Sequence, residues 1–273
     1  MQEFTFIAEE EARLAKQFQK QGFVIQPVAQ LDQFARIRQV VVETTASFLG
    51  SEVVNEESFL NQIHEQIDVD QLNSLRLHVI RQMNAQSWFR AAYFQIAKPV
   101  LEALVGNELA MQLRINLSIQ LPQDHSSLLP VHADVWSGDS PYEVVVWLPL
   151  VDCYRTKAMY LLPPEADQQL REEFQNYAGR SSEELFRRIS EEVHWIEIKA
   201  GEVLIFNQNL PHGNRVNQEL ETRWSMNCRF KGVFTPYGDK RIGEFFEPIT
   251  LKAASRIGMS YRFPKMQSTT GDT

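Results

Sequence analysis

The sequence predicts an α+β protein with a mainly β core, a β-sandwich or jelly roll buttressed by N-terminal helices. Three observations carry this reading. Apolar residues recur at helical spacing through most of the first hundred positions. After Gly106 the pattern turns to short alternating or wholly apolar runs separated by turn signals. Finally, 273 residues of which 44% are aliphatic, aromatic or cysteine supply an ample core. The expected division is one domain over 1–264, with a helical buttress at 1–111 and a β core at 112–234. A flexible tail is expected at 265–273, where the run from Gln267 to Thr273 is polar and small.

Glu9 to Gln21 repeats Ala12, Ala15 and Phe18 at helical spacing and stops at Gly22, a C-terminal signal. Phe23-Val-Ile25 reads as a short strand before Pro27. Leu31 to Leu49, closed by Gly50, is a second amphipathic helix, and Ser58 is placed to cap a short third one through Ile67. A long helical pattern runs from Gln71 to Val105. It is interrupted near Ala97-Lys98-Pro99, because proline has no amide hydrogen to donate, and is stopped by Gly106.

Beyond that point Arg114 to Leu121 alternates strictly, with Arg114, Asn116, Ser118 and Gln120 on one face and Ile115, Leu117, Ile119 and Leu121 on the other. Tyr142 to Leu150 and Ala158 to Leu162 are apolar, strand-like runs. A helical insertion follows over 165–192, with Leu170, Phe174, Leu185 and Ile189 as its apolar face. His194 to Lys199, Glu202 to Phe206 and Thr222 to Val233 complete the strands. In the last of these Arg223, Ser225, Asn227 and Arg229 share a face. That face meets either water or a polar cavity, and His212 just upstream favours the cavity.

Bulk properties narrow the function classes. Net charge is −8, the pI is near 5.4, and basic residues are scattered, which speaks against nucleic acid or an anionic membrane as partner. No apolar run approaches the roughly 20 residues of a membrane span. The opening Met1-Gln-Glu-Phe-Thr5 has neither a basic region nor an apolar stretch, so no secretory signal is expected. Two cysteines, Cys153 and Cys228, form no Cys-x-x-Cys, and a reducing cytoplasm is the expected setting.

The chemistry concentrates in His132-Ala133-Asp134, His212 and Arg223. Two imidazoles and one carboxylate are the ligand set of a non-haem Fe(II) centre with open positions. Residues two apart on an extended segment share a face and lie about 6–7 Å apart, so His132 and Asp134 can reach one ion. The third ligand must come from a distant strand, and His212 follows the β-rich run Gly201 to Phe206 and the turn-like Asn207 to Pro211. An arginine eleven residues beyond His212 suits a dicarboxylate co-substrate. His64 and His78 fall in helical stretches and His194 at a strand start, so none is assigned a role.

These residues, with Val144 to Asp152, Gly201 to Phe206, His212-Gly213 and Arg223-Trp-Ser225, resemble the phytanoyl-CoA dioxygenase-like branch of Fe(II)/2-oxoglutarate oxygenases. Within that branch the chain is most similar to bacterial members associated with surface-carbohydrate gene clusters. The resemblance covers about 112–234, and the opening helix with Gly22-Phe-Val-Ile25 is also similar. It implies a double-stranded β-helix, iron held by His132, Asp134 and His212, and Arg223 paired with the distal carboxylate of 2-oxoglutarate. It further implies hydroxylation of a small molecule, such as a sugar or nucleotide-linked sugar, by O2 with release of succinate and CO2. The family often carries Asn-Gly and Pro-Gly-Ser-His after the Trp-x-Pro-Leu segment; here the stretch is Thr156 to Pro164.

Asn116, Gln120 and Ser225 are further candidates for 2-oxoglutarate. Trp136 and Tyr142, in the loop after the metal motif, with His125 and Arg229, are candidates for substrate. Two other classes stay open: a cupin-type isomerase or zinc hydrolase, since zinc accepts the same ligands, and a non-catalytic sugar-binding barrel. The helical first half is a lid, a buttress or the surface of a homodimer.

Overall fold

The computed structural model describes residues 6–264. The fold is α+β, a helical layer on antiparallel sheet. Helices α1 (Glu9–Gln21) and α2 (Leu31–Leu49) match the sequence reading. Each ends at a glycine in the left-handed region, Gly22 at φ 81° and Gly50 at φ 70°, where a side chain is strained. Between them lies strand β1 (Phe23–Pro27).

The third helix departs from expectation. α3 (Glu56–Asn61) is capped by Asn55, whose side-chain oxygen accepts from the Ser58 amide, so Ser58 lies inside the first turn. The chain then turns through a short 3-10 segment at Ile63–Glu65.

The long helical pattern is two helices, α4 (Val69–Asn84) and α5 (Phe89–Leu104), and the break falls at 85–88. Pro99 lies inside α5. Beside it, the Ile96 carbonyl accepts from the Ala29 amide, an outside donor. The true break follows Asn84, whose side chain donates to the carbonyls of Ile80 and Ile115 and accepts from the Ile115 amide. That amide side chain ends the helix by fastening it to the next β segment.

A seven-stranded sheet runs β1–β7–β4–β9–β2–β10, with β3 also paired to β9. Its members are β2 (Leu109–Gln112), β3 (Asn116–Gln120), β4 (Glu143–Pro149), β7 (Glu202–Asn207), β9 (Arg223–Gly232) and β10 (Phe246–Pro248). β2 and β10 were not read from sequence; β2 is four residues long and buried throughout, so it shows no alternation. The second sheet is β6–β5–β8, made of β6 (His194–Trp195), β5 (Tyr160–Leu161) and β8 (His212–Gly213). The strands expected at Ala158 to Leu162 and His194 to Lys199 are therefore short.

The 165–192 insertion is two helices, α6 (Pro164–Glu173) and α7 (Ser182–Ile189), the second held by a Ser181/Glu184 capping box. Leu170, Leu185 and Ile189 are buried in a small cluster with Tyr160, whereas Phe174 is partly exposed. A final helix, α8 (Ala253–Ser260), lies beyond the expected β core. The expected frayed tail lies outside the described residues. No helix among them is long and apolar enough to cross a membrane.

Candidate metal centre

A cavity of about 750 Å³ opens between the two sheets. The large sheet contributes Leu117, Val145, Trp147 and Phe206, together with four polar residues of one β9 face, Arg223, Ser225, Asn227 and Arg229. His132, Met159, His212 and Gly213 line the other side, and α4 contributes Val69, Asp70, Leu72, Asn73 and Arg76.

His132 and His212 form an isolated antiparallel bridge, each amide donating to the other's carbonyl at 3.0 and 2.8 Å. Their rings lie 4.3 Å apart between centroids. In each ring Nδ1 is 2.8 Å from the carbonyl two residues back, Pro130 for His132 and Leu210 for His212. A carbonyl only accepts, so Nδ1 carries a proton in both rings, the tautomer that in a neutral imidazole leaves the Nε2 lone pair for a metal. Burial, reinforced by the neighbouring His132, pushes His212 down to about 4, so it is neutral at pH 7.

Ala133 is extended and Asp134 opens a short 3-10 turn. The turn places Asp134 Oδ1 3.6 Å from His132 Nε2. The ligand atoms of His132, Asp134 and His212 all lie within 4.8 Å of one another, a spread that one ion bonded at about 2.0–2.2 Å can bridge. Among the described residues this is the single group of three or more such side chains so placed.

The two arginines of the β9 face have different partners. Arg229 is engaged, with Nη2 2.8 Å and Nε 3.2 Å from Asp134 Oδ2, and Nε also 3.0 Å from Gln208 Oε1. Arg223 is buried. Its Nη2 donates to Ser118 Oγ at 3.0 Å and its Nη1 to the Ala158 carbonyl at 3.4 Å, while Nε has no partner. Burial pushes its pKa down to about 10, which still leaves it charged at neutral pH. Ser225 Oγ, two residues along and paired in register with Ser118, is also buried without a partner. Arg223 thus has no carboxylate against it and lies beside an unsatisfied hydroxyl, an arrangement in which buried polar atoms lack partners.

Several expected contacts lie elsewhere. Asn116 is exposed and bonds Asn227 across the strands. Gln120 is buried and donates to the Arg215 carbonyl. His125, Trp136 and Tyr142 are exposed and absent from the cavity wall; Trp136 packs on Phe174 instead. Arg229 reaches the cavity, but its guanidinium is held by Asp134. Ser118 and Gln208 were missed. Ser118 stood on the polar face of the alternating run, so a signal existed, whereas Gln208 in a turn gave none.

Gly213 sets the close approach beside His212. A Cβ there would meet the Leu129 carbonyl at 2.7 Å and Tyr160 Oη at 2.7 Å. Gly213→Ala is expected to destabilise the protein by about 1–3 kcal/mol, measured by urea denaturation. A midpoint equal to the parent's would mean that the 129–130 segment yields freely.

No family model matches the chain, and no curated protein does either. Solved structures do. EctD from S. alaskensis with 2-oxoglutarate and 5-hydroxyectoine aligns at TM-score 0.56 and 16% identity, over 91% of this chain and 89% of that one. EctD with bound Fe aligns at 0.54 and 18%, over 89% and 85%. The non-haem monooxygenase ThoJ in a nickel complex aligns at 0.52 and 16%, over 88% and 89%. At these identities the likeness is one of fold.

Proposed function

We propose that this chain is a non-haem Fe(II)/2-oxoglutarate-dependent oxygenase whose sheets form a double-stranded β-helix, and that it hydroxylates a small molecule. The observation that carries the reading is the pairing, in one cavity, of a His-Asp-His cluster with a buried arginine that has no counter-ion. A zinc hydrolase or isomerase would use the cluster but leave Arg223 charged, buried and idle. EctD, similar in fold, was solved with Fe and with 2-oxoglutarate, which supports the same assignment here.

His132, Asp134 and His212 would hold the iron, the first two through geometry set by one short turn. When bound, iron with 2-oxoglutarate and O2 supplies the oxidising power, succinate and CO2 being the co-products. Arg223 receives the distal carboxylate of 2-oxoglutarate, and Ser118 and Ser225 offer hydroxyls beside it. Leu117, Val145, Trp147, Met159 and Phe206 exclude water from the reacting volume. Asn73, Ser126, Ser127 and Asn227 also line the cavity and offer polar groups, which suit a hydroxyl-rich substrate such as a sugar or nucleotide-linked sugar.

The test is anaerobic titration with Fe(II) and 2-oxoglutarate, following the weak visible charge-transfer band of the complex. The parent protein is expected to give the band. Arg223→Ala is expected to need about 10–150-fold more 2-oxoglutarate, the equivalent of a lost charge-assisted contact at about 1.5–3 kcal/mol. Fe(II) binding without a band would reject the co-substrate and leave another cupin chemistry.

A further inference from the structure

Arg229 has two acidic neighbours, and only one of them belongs to the metal cluster. Its Nη2 lies 2.8 Å from Asp134 Oδ2 and 3.9 Å from Asp139 Oδ2. The Asp139 side chain is 1% exposed, and Lys240 holds it with Nζ 2.6 and 2.7 Å from its two oxygens. The charges therefore alternate along a chain, Asp134, Arg229, Asp139, Lys240. It starts at the cavity and ends on the loop after β9, where Lys240 is still 29% exposed. That loop also docks by backbone on the turn that follows Asp134, the Asp239 amide donating to the Gly138 carbonyl at 3.0 Å.

We infer that Lys240 is a positioning residue for the metal centre, acting through Asp139 and Arg229. A buried carboxylate without a counter-ion is strongly unfavourable, so Asp139 must be neutralised by some cation. Lys240 does this, and the Arg229 fork stays on Asp134. Asp134 Oδ2 is then occupied, and Oδ1 is left facing the two imidazoles. Without Lys240, Asp139 draws the guanidinium across a gap of about an ångström, and Asp134 loses the contact that orients it. Outer partners of metal ligands are worth about 10–100-fold in metal affinity, which sets the size of the effect.

The inference rests on the metal reading of His132, Asp134 and His212, and the test separates the two. Anaerobic Fe(II) titration, with the ion alone as probe, compares the parent, Lys240→Met and the double variant Lys240→Met/Asp139→Asn. Lys240→Met is expected to bind Fe(II) about tenfold more weakly. The double variant, which also removes the competing acid, is expected to regain affinity to within about threefold of the parent, as coupled neighbours require. A merely structural lysine would give no such rescue, because the second substitution would add damage. Parent-like affinity in Lys240→Met, or a double variant as weak as the single one, overturns the inference while leaving the metal reading in place. A parent that binds no Fe(II) removes both.

Discussion

Asp134→Ala is expected to lose Fe(II) binding and succinate formation together. The residue is the sole carboxylate of the cluster and is 6% exposed. Removing it leaves only two imidazoles to hold a dication. It also releases the Arg229 guanidinium, until then paired with Oδ2 at 2.8 Å, so a positive charge stays beside the site without the carboxylate that balanced it there. Lost ligation and like-charge repulsion act in the same direction, so the fall should exceed the about 10–100-fold typical of an outer partner. Asp134→Asn keeps the shape but not the charge and should fail similarly. Anaerobic Fe(II) titration and a succinate assay check this; full activity in the alanine variant would remove the iron reading.

Glu221→Gln is expected to destabilise the protein strongly. Lys157 is fully buried, with Nζ 2.6 Å from Glu221 Oε2 and 2.8 Å from Asn61 Oδ1. Deleting the anion strands a buried ammonium, a change worth about 3–5 kcal/mol, and the lower end applies because the Glu221 side chain is 40% exposed. Replacing the pair outright, Lys157→Met with Glu221→Gln, should return most of that loss, since no buried charge then lacks a partner. Denaturant midpoints of the single and double variants decide it, and a single variant as stable as the parent would contradict the account. The consequence reaches the site. α3 meets the start of β9 through the Thr222 amide on the Asn61 carbonyl and Trp224 Nε1 on the Leu60 carbonyl. Arg223 stands between those two contacts.

The triad and Arg223 were legible because their signal is local: a His-x-Asp spacing, a histidine after a short strand, and an arginine on an alternating face. The helices ending at Gly22 and Gly50 were legible for the same reason. Pro99 misled: α5 runs through it from Phe89 to Leu104, since a proline removes one amide donor and the rest of the helix carries the turn. Gln208, Asp139 and Lys240 were invisible because what matters about them is whom they meet across the sheets. Trp136 and Tyr142 looked suitable by proximity to the metal motif, yet the turn at Asp134 sends the following loop outward, and α4 walls the cavity instead.

β1 pairs residue for residue with β7, from Phe23 opposite Phe206 to Pro27 opposite Glu202. The helical leader and the β core are therefore interlaced, and neither is a module that can be exchanged by itself. A truncated version starting near residue 112 would bare the β7 backbone along Val203-Leu-Ile-Phe206, an apolar edge apt to template self-association. Shuffling this β core onto another leader would have to bring residues 23–27 with it, or supply a substitute strand of its own.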